Sequence, residues 1–271
     1  MQTHKKLGII GSGNIAQAIL KGALHTQAIS PEDVFVYDIR PEVTGRLESE
    51  LGVISCSSSS ELCKKADLIL LAVKPFVCRD ALKLMQYDLT GQKALISVVT
   101  GWTKEDILKE LHKNVRILRV VPNTPALVGE GCMVLDAQHT LRDDEFSFAE
   151  RLFAGCGEIF LLPEESFEAV TGLSGSGPAF VYQFITALAN GGLFKGIPSD
   201  ISYRLAARTV LGSAKMVLES GIHPGQLKDM VMTPGGTTIT GIHELEKGGF
   251  NGVVMDAVAA ATDKASDVKK G

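Results

Sequence analysis

The stretch LGIIGSGNIAQAIL, residues 7 to 20, decides the fold of the N-terminal half of the chain. Its first four residues are apolar and predict a buried strand, and the residues after the glycines predict a helix. Gly11, Gly13 and Ala16 form the pattern G-x-G-x-x-A between these elements. Such spacing provides a tight turn, close backbone approach to a pyrophosphate and close packing of helix on strand. The stretch therefore predicts a dinucleotide-binding unit, with an ordinary tight turn between strand and helix as the alternative.

The end of the second predicted strand carries the next candidate residues. Asp38 lies where an acidic side chain accepts hydrogen bonds from the adenosine ribose, and taken alone it favours NAD. Arg40 follows two residues later and could pair with a 2′-phosphate, so NADP stays open.

Short β-rich runs alternate with helical stretches up to Pro163, which is typical of βαβ units that form a parallel sheet. The eight predicted strands cover residues 7–10, 34–38, 52–56, 68–73, 94–98, 116–121, 133–135 and 158–161. Helices are predicted over 42–51 and 103–111, the second with a capping box of Thr103 and Asp106. The serines at 57–60 predict a loop and then a helix capped by Ser59 or Ser60.

Helical patterns replace strand patterns after Pro163. Helices are predicted over 179–195, 200–219 and 252–269, and another begins near Thr238. Small and apolar residues on more than one side of these helices leave surface that a single small domain would not cover. We therefore predict an α/β Rossmann-like domain at 1–163 and an all-α dimerisation and substrate-binding domain at 164–271.

Composition excludes several classes of function. The 27 basic and 31 acidic residues give a net charge of −4, so we expect no nucleic-acid partner. Apolar runs of about six residues are too short to span a bilayer, and the first residues lack a signal-peptide pattern, which predicts a cytoplasmic protein. The five scattered cysteines predict reduced, mostly buried thiols rather than disulfides. Lys247 stands where the second histidine of a zinc-protease motif would be, and no metal site is predicted.

Further motifs lie at predicted strand ends and in the helical half. Lys74 emerges at the carboxyl edge of the sheet, where it either meets the cofactor or is an ordinary solvated lysine. Asn123 lies between two prolines in a turn, and its role is either turn chemistry or ligand binding. The loop 171–178 lacks the spacing and the preceding strand of a serine-hydrolase elbow. The loop 233–238 precedes a helix, so its backbone amides could hold a carboxylate.

Five motifs in this order resemble the pyrroline-5-carboxylate reductases over essentially the whole chain. They are GSGNIAQAI at 11–19, AVKP at 72–75, VVPNTPA at 120–126, TGLSGSGPAF at 171–180 and PGGTTITGIHELEKGGF at 234–250. The last two are the most specific. The resemblance implies NADPH or NADH as cofactor, a small cyclic imine as substrate, and a homodimer, possibly assembled into a larger homo-oligomer. Hydride transfer to L-1-pyrroline-5-carboxylate would then give L-proline.

The resemblance also implies which residues form the sites. Cofactor contacts would come from Ile10, Gly11, Ser12, Gly13, Asn14, Ile15, Asp38, Arg40, Ser59, Ala72, Val73, Lys74, Pro75 and Thr100. Substrate contacts would come from Ser176, Gly235, Gly236, Thr237 and Thr238, with Thr238 as the catalytic residue facing the ring nitrogen. Asp38 departs from the small or polar residue of members that favour NADPH. Gly221 and Met230 replace a glutamate and an asparagine of some members, and Val121 replaces a frequent methionine.

Two other functions stay open from the residues alone. A related fold could reduce a precursor of a 2- or 3-hydroxyacid, which a panel of keto acids would reveal. A dinucleotide-binding sensor would bind NAD(P)H without consuming it. Neither alternative accounts for two Gly-rich loops in the helical half.

Overall fold

The computed structural model describes residues 5–89, 91–112 and 115–267. Cα packing divides the chain into two compact units. The first unit runs as far as Ser176 and includes the chain again from Ala260, and the second unit spans Gly177–Ala259.

An eight-stranded sheet forms the centre of the first unit. Its strands are β1 (Leu7–Ile10), β2 (Val34–Tyr37), β3 (Ile54–Ser55), β4 (Leu68–Leu71), β5 (Ala94–Ser97), β6 (Arg116–Val121), β7 (Gly131–Asp136) and β8 (Gly157–Leu162). All eight correspond to predicted strands, with ends moved by at most two residues. The order across the sheet is β3-β2-β1-β4-β5-β6-β7-β8. From β1 the chain builds the sheet in one direction as far as β3, and it then continues with β4 on the other side of β1. Such a switch point is where open α/β sheets bind ligands.

The sheet is not entirely parallel, which corrects the prediction. The strands from β3 to β6 are parallel, but β7 runs antiparallel to β6 and parallel to β8. Only residues 122–130 connect β6 to β7. A parallel pair needs a crossover of about a dozen residues or more, so this short connection turns the chain back on itself.

Helices cover both faces of the sheet. They are α1 (Asn14–His25), α2 (Pro41–Leu51), α3 (Ser59–Lys65), α4 (Cys78–Met85), α5 (Lys104–Leu111), α6 (Asp143–Ala154) and the single turn α7 (Phe167–Val170). Alternate strand residues point to opposite faces. Ile9 therefore packs in a core with Ile19 and Phe153, and Ile10 packs in a second core with Leu62. These two cores make the first unit a doubly wound α/β structure.

Two helix starts test the predicted caps. The Thr103 hydroxyl accepts the Asp106 N–H at 3.1 Å, and the Asp106 carboxylate accepts the Thr103 N–H at 3.2 Å, which confirms the capping box. The cap of α3 is Ser58, whose hydroxyl accepts the Glu61 N–H at 3.1 Å. The prediction of Ser59 or Ser60 is wrong because α3 already begins at Ser59, so the residue with extended backbone that precedes the helix is Ser58.

The second unit is helical. Its helices are α8 (Gly177–Phe194), α9 (Ser199–Ser220), α10 (Pro224–Val231), α11 (Thr237–Lys247) and the part of α12 (Phe250–Asp267) up to Ala259. The predicted helices are confirmed to within two residues, except that 268 and 269 lie outside the described residues. The Ser202 hydroxyl donates to the Ala189 carbonyl at 2.6 Å and joins α8 to α9. Most of the unit's large apolar side chains are exposed.

Two general features concern the described residues. All five cysteines are free, as predicted, and burial raises the pKa of Cys63 and Cys78 to about 12, so these thiols stay protonated. Within the described ranges, no helix is both long and apolar enough to cross a membrane.

Candidate active site

The turn between β1 and α1 is shaped by Gly11. Its φ of +90° favours glycine, and a Cβ there would stand 2.6 Å from the carbonyl oxygen of Ala72. The Gly11 N–H donates to the Tyr37 carbonyl, and the Ala72 N–H donates to the Ile10 carbonyl, each at 2.8 Å. The turn is therefore held between the ends of β2 and β4, at the switch point of the sheet.

The start of α1 has the free groups that a pyrophosphate requires. Gly13 caps the helix without a side-chain hydrogen bond, and the first turn has no acidic residue. A Cβ at Gly13 would meet nothing within 4 Å, so the backbone there is open. Within the described residues, the buried hydroxyl of Ser12 has no hydrogen-bond partner. Uncapped amides and the positive end of the helix dipole attract phosphate, so the residues fit a dinucleotide. Asn14 and Ile15 are the first helical residues and complete the predicted turn.

Asp38 follows β2 directly and contacts the glycine turn. Its Oδ2 accepts the Ser12 N–H at 2.8 Å, and its Oδ1 accepts the Arg40 N–H at 3.0 Å and the Arg40 Nε–H at 3.1 Å. Burial tends to raise the pKa of Asp38, but the hydrogen bonds from Arg40 and Ser12 outweigh burial and leave the pKa below 3.8. The structure therefore holds Asp38 as a carboxylate beside the glycine turn, and it binds Arg40 to that carboxylate.

The remaining cofactor candidates of the first unit follow neighbouring strands. Ser59 is buried at the first position of α3, just after β3. Ala72, Val73 and Pro75 are partly buried after β4, and Lys74 is exposed; Thr100 is partly buried three residues after β5. The Trp102 indole N–H donates to the Pro75 carbonyl at 3.1 Å and ties the segment after β5 to the segment after β4. Because parallel strands end at the same edge, the predicted residues of this unit gather at the carboxyl edge of the sheet.

Asn123 holds two segments together rather than only shaping its own turn. Its side-chain oxygen accepts the Cys132 N–H at 2.9 Å, and its amide nitrogen donates to the Ser174 carbonyl at 3.1 Å. Ser174 lies in the π-helical segment Thr171–Gly175, which Ser176 follows directly. Short π-helical segments are frequent at functional sites. The sequence did not predict this contact between two segments. The position of Asn123 between two prolines was the only sequence feature that pointed to a special role.

A buried ion pair supports the same region. Arg119 is 4% exposed, and its guanidinium donates to Glu164 at 2.8 Å while lying 5.0 Å from the ring of Phe167. The Glu164 carboxylate also accepts the Lys104 N–H at 2.8 Å. Sequence reasoning missed this pair because its members are 45 residues apart. The ion pair joins β6, which ends just before Asn123, to Glu164, which lies in the segment that precedes the π-helical residues.

The loop before α11 is a second free helix start, and it belongs to the second unit. Gly235 has a φ of +67°, and Gly236 caps α11 without a side-chain hydrogen bond. The first turn, which begins with Thr237 and Thr238, has no acidic residue. The Gly236 N–H donates to the Thr233 carbonyl at 2.9 Å and closes the turn. The amides of the first turn are thus available to a small anion such as a carboxylate.

Among the described residues, no group of three or more His, Cys, Asp or Glu side chains is arranged to hold a metal ion.

Comparisons with known proteins agree along the whole chain. Residues 164–268 match the family model described as pyrroline-5-carboxylate reductase dimerisation, and residues 6–101 match the model described as NADP oxidoreductase coenzyme F420-dependent. The chain is 43% identical over 97% of its length to pyrroline-5-carboxylate reductase of Glycine max, covering 95% of that protein. It is 36% identical over 98% of its length to that of Escherichia coli, covering 99%. The solved pyrroline carboxylate reductase of Plasmodium falciparum with NADP bound superposes with a TM-score of 0.89 at 32% identity, covering 99% of both chains.

Proposed function

The chain belongs to the pyrroline-5-carboxylate reductase family. From this premise we propose that its two uncapped helix starts bind the two reactants of one reduction. The chain reduces L-1-pyrroline-5-carboxylate to L-proline, the last step of proline biosynthesis, with NADPH or NADH. In the proposal, the start of α1 binds the dinucleotide and the start of α11 binds the substrate.

The dinucleotide side of the proposal is supported by the glycine turn. Residues 11–15 hold the pyrophosphate through the free amides of α1, and the unpartnered hydroxyl of Ser12 is a further donor. Asp38 and Arg40 lie at the adenosine ribose, and Ser59 lies on the adenine side. Residues 72–75 and Thr100 flank the nicotinamide, which supplies the hydride when the cofactor is bound.

The observation that carries the substrate side is the uncapped start of α11. Gly235, Gly236 and Thr237 present backbone amides that hold the substrate carboxylate. Among the described residues, the Thr240 hydroxyl donates to the Gly236 carbonyl of its own helix at 3.0 Å, whereas the Thr238 hydroxyl makes no such bond. Thr238 is therefore free to hydrogen-bond the ring nitrogen and orient the imine, and Ser176 adds a polar contact.

This arrangement suits the chemistry of an imine. A protonated imine is already a strong electrophile, so the protein needs less acid–base machinery than a ketone reductase does. Holding the carboxylate and the ring nitrogen at two points positions the imine carbon, and positioning supplies a large part of the acceleration. Loss of one such contact costs a few kcal/mol of transition-state stabilisation at most.

The assembly and location of the chain are also part of the proposal. The family model of residues 164–268 indicates a homo-oligomer. We propose a homodimer, able to assemble further, in which 164–271 is the dimerisation and substrate domain and 1–163 the dinucleotide domain. Exposed apolar side chains that lie seven residues apart on α9, Leu211 and Leu218, support a helical face that a second copy covers. The acidic charge balance supports the absence of a nucleic-acid partner, and we propose that the enzyme acts in the cytoplasm.

One pair of variants on α11 tests the site assignment. Thr238→Ala should lower kcat/KM for the imine by about 100-fold, the scale of losing one positioned hydrogen bond, and leave NADH binding unchanged. Thr240→Ala removes the same atoms two residues later and should keep near-normal turnover. Equal losses in the two variants, or loss of NADH binding in a folded Thr238→Ala protein, would contradict the assignment.

The same assay separates the alternative functions. NADH and NADPH consumption is followed with the five-membered imine and with a panel of 2- and 3-keto acids. Consumption with a keto acid but not with the imine indicates a hydroxyacid-forming reductase. Binding of NAD(P)H without consumption of any substrate indicates a sensor.

A further inference from the structure

We propose that Asp38 determines cofactor choice, so that this chain prefers NADH over NADPH. The inference rests on the proposed dinucleotide site and specifies which of its two permitted cofactors the site selects. It depends on the contacts of a carboxylate and an arginine that lie two residues apart.

Asp38 is a fixed carboxylate beside the glycine turn. Its side chain is 7% exposed, and both oxygens accept backbone N–H groups, from Ser12 and from Arg40. The Ser12 bond is the important one for orientation, because it joins the carboxylate to the turn that approaches the pyrophosphate. A carboxylate has about four acceptor positions. The Ser12 N–H and two Arg40 N–H groups fill three of those of Asp38, so Oδ2 can still accept one ribose hydroxyl. A 2′-phosphate offers no such donors when it is ionised.

Arg40 does not offset the charge of Asp38 toward a phosphate. Its Nε–H donates to Oδ1 at 3.1 Å and its Nη2–H approaches Oδ2 at 3.5 Å, so the guanidinium fork faces the Asp38 carboxylate. An arginine in this position is the usual partner of a 2′-phosphate in NADP-dependent members of the fold. Here Arg40 would have to bind a phosphate through its remaining N–H groups while Nε–H stays on Asp38, so the phosphate would lie beside the negative charge of the Asp38 carboxylate.

The first serine of the neighbouring loop is not a free donor for a phosphate. The Ser57 hydroxyl donates to the Glu61 carboxylate at 2.8 Å. The cation Lys65 is bound to the same Glu61 carboxylate at 2.7 Å. Ser57 and Lys65 are thus bound to Glu61, as Arg40 is bound to Asp38.

The test measures binding of cofactor fragments as well as turnover. Isothermal titration calorimetry compares 5′-AMP with 2′,5′-ADP, which differ only in the 2′-phosphate, and fluorescence titration compares NADH with NADPH. The wild-type protein should bind 5′-AMP and NADH at least tenfold more tightly than their 2′-phosphorylated counterparts. Asp38→Asn keeps an acceptor for the Ser12 N–H, removes the charge and releases Arg40, so it should shift the ratio by at least tenfold toward the phosphorylated forms.

Three further variants identify the cause of any shift. Arg40→Met should leave the wild-type ratio within about threefold, because Arg40 is already bound to Asp38. In the Asp38→Asn background, Arg40→Met should remove the gained affinity for 2′,5′-ADP. Glu42→Gln makes the same charge change as Asp38→Asn in the exposed first turn of α2 and should leave the ratio within about threefold.

The outcomes separate this inference from the proposed site. Tighter binding of 2′,5′-ADP than of 5′-AMP by the wild-type protein, or an unchanged ratio in Asp38→Asn, overturns the role of Asp38. A shift in Glu42→Gln equal to that in Asp38→Asn also overturns it, because general surface charge would then be the cause. Failure of the folded protein to bind any of the four nucleotides would instead overturn the dinucleotide site itself.

Discussion

Replacing Asn123 with alanine should destabilise the first unit by an amount that follows from its two hydrogen bonds. The side chain is 7% exposed and joins the Cys132 N–H and the Ser174 carbonyl, at 2.9 and 3.1 Å. Asn123→Ala leaves both backbone groups without this partner where water has little access. An unsatisfied buried group costs about 1–3 kcal/mol, so the free energy of unfolding should fall by about 2–5 kcal/mol.

The same variant should slow the reaction without weakening nucleotide binding. The bond to Ser174 holds the π-helical segment that precedes Ser176, and the two side-chain hydrogen bonds of Asn123 involve neither the glycine turn nor Asp38. We expect a lower kcat/KM for the imine and an unchanged Kd for ADP. Asn123→Asp retains the acceptor for the Cys132 N–H but places a carboxylate against the Ser174 carbonyl, so it should retain part of the stability and little of the activity.

Urea unfolding and steady-state kinetics on the same preparations check both effects. Thr124→Ala is the matched control, because Thr124 is the exposed next residue and its loss should change stability by less than about 0.5 kcal/mol. The reasoning is refuted if Asn123→Ala unfolds at the wild-type urea concentration and turns over at the wild-type rate. Equal destabilisation by both variants would show that the turn, rather than the bridge, is responsible.

Three other predictions follow from single features. Gly11→Ala should abolish nucleotide binding in calorimetry and cost about 1–3 kcal/mol of stability, because the new Cβ meets a carbonyl oxygen at 2.6 Å on a backbone with φ of +90°; unchanged ADP affinity would refute the turn geometry. Burial lowers the pKa of His139 below 6.5, so the neutral imidazole makes its full contribution to stability above pH 6.5. As the pH falls, the unfolded chain takes up a proton before the folded chain does, and this contribution is lost. His139→Phe keeps the stack on Phe146 and should flatten stability between pH 7 and 5 in urea titrations; an equally steep dependence would contradict this. Leu211→Glu should yield monomers in light scattering, whereas Leu84→Glu, an equally exposed position of the first unit, should not.

Local features of the site were predictable because their causes lie within a few residues. The turn at Gly11 follows from the position of two glycines between a strand and a helix, and the structure confirms its positive φ. The capping box of Thr103 and Asp106 likewise depends on a spacing of three residues. The helical second half was evident from helical periodicity and from the glycines and prolines that separate its helices.

Contacts between distant parts of the chain were not predictable in the same way. The antiparallel direction of β7 depends on the length of one connection, which the strand pattern alone does not reveal. The amide of Asn123 could have served its own turn, and only the packed structure shows that it reaches Ser174, 51 residues later. The choice between NADH and NADPH was open for the same reason. The sequence shows that Asp38 and Arg40 are present, but it does not show that they are bound to each other.

By itself, the sequence determined the family, the reaction, and the two-part organisation of a dinucleotide-binding α/β region followed by helices. Periodicity, glycine positions and motif order are properties of neighbouring residues, so they can be read without coordinates. Only the tertiary structure decided which donors and charges remain free: the uncapped starts of α1 and α11, and an Arg40 already bound to Asp38. A hydrogen-bonding group has a limited number of positions, and whether they are filled depends on segments that folding brings together.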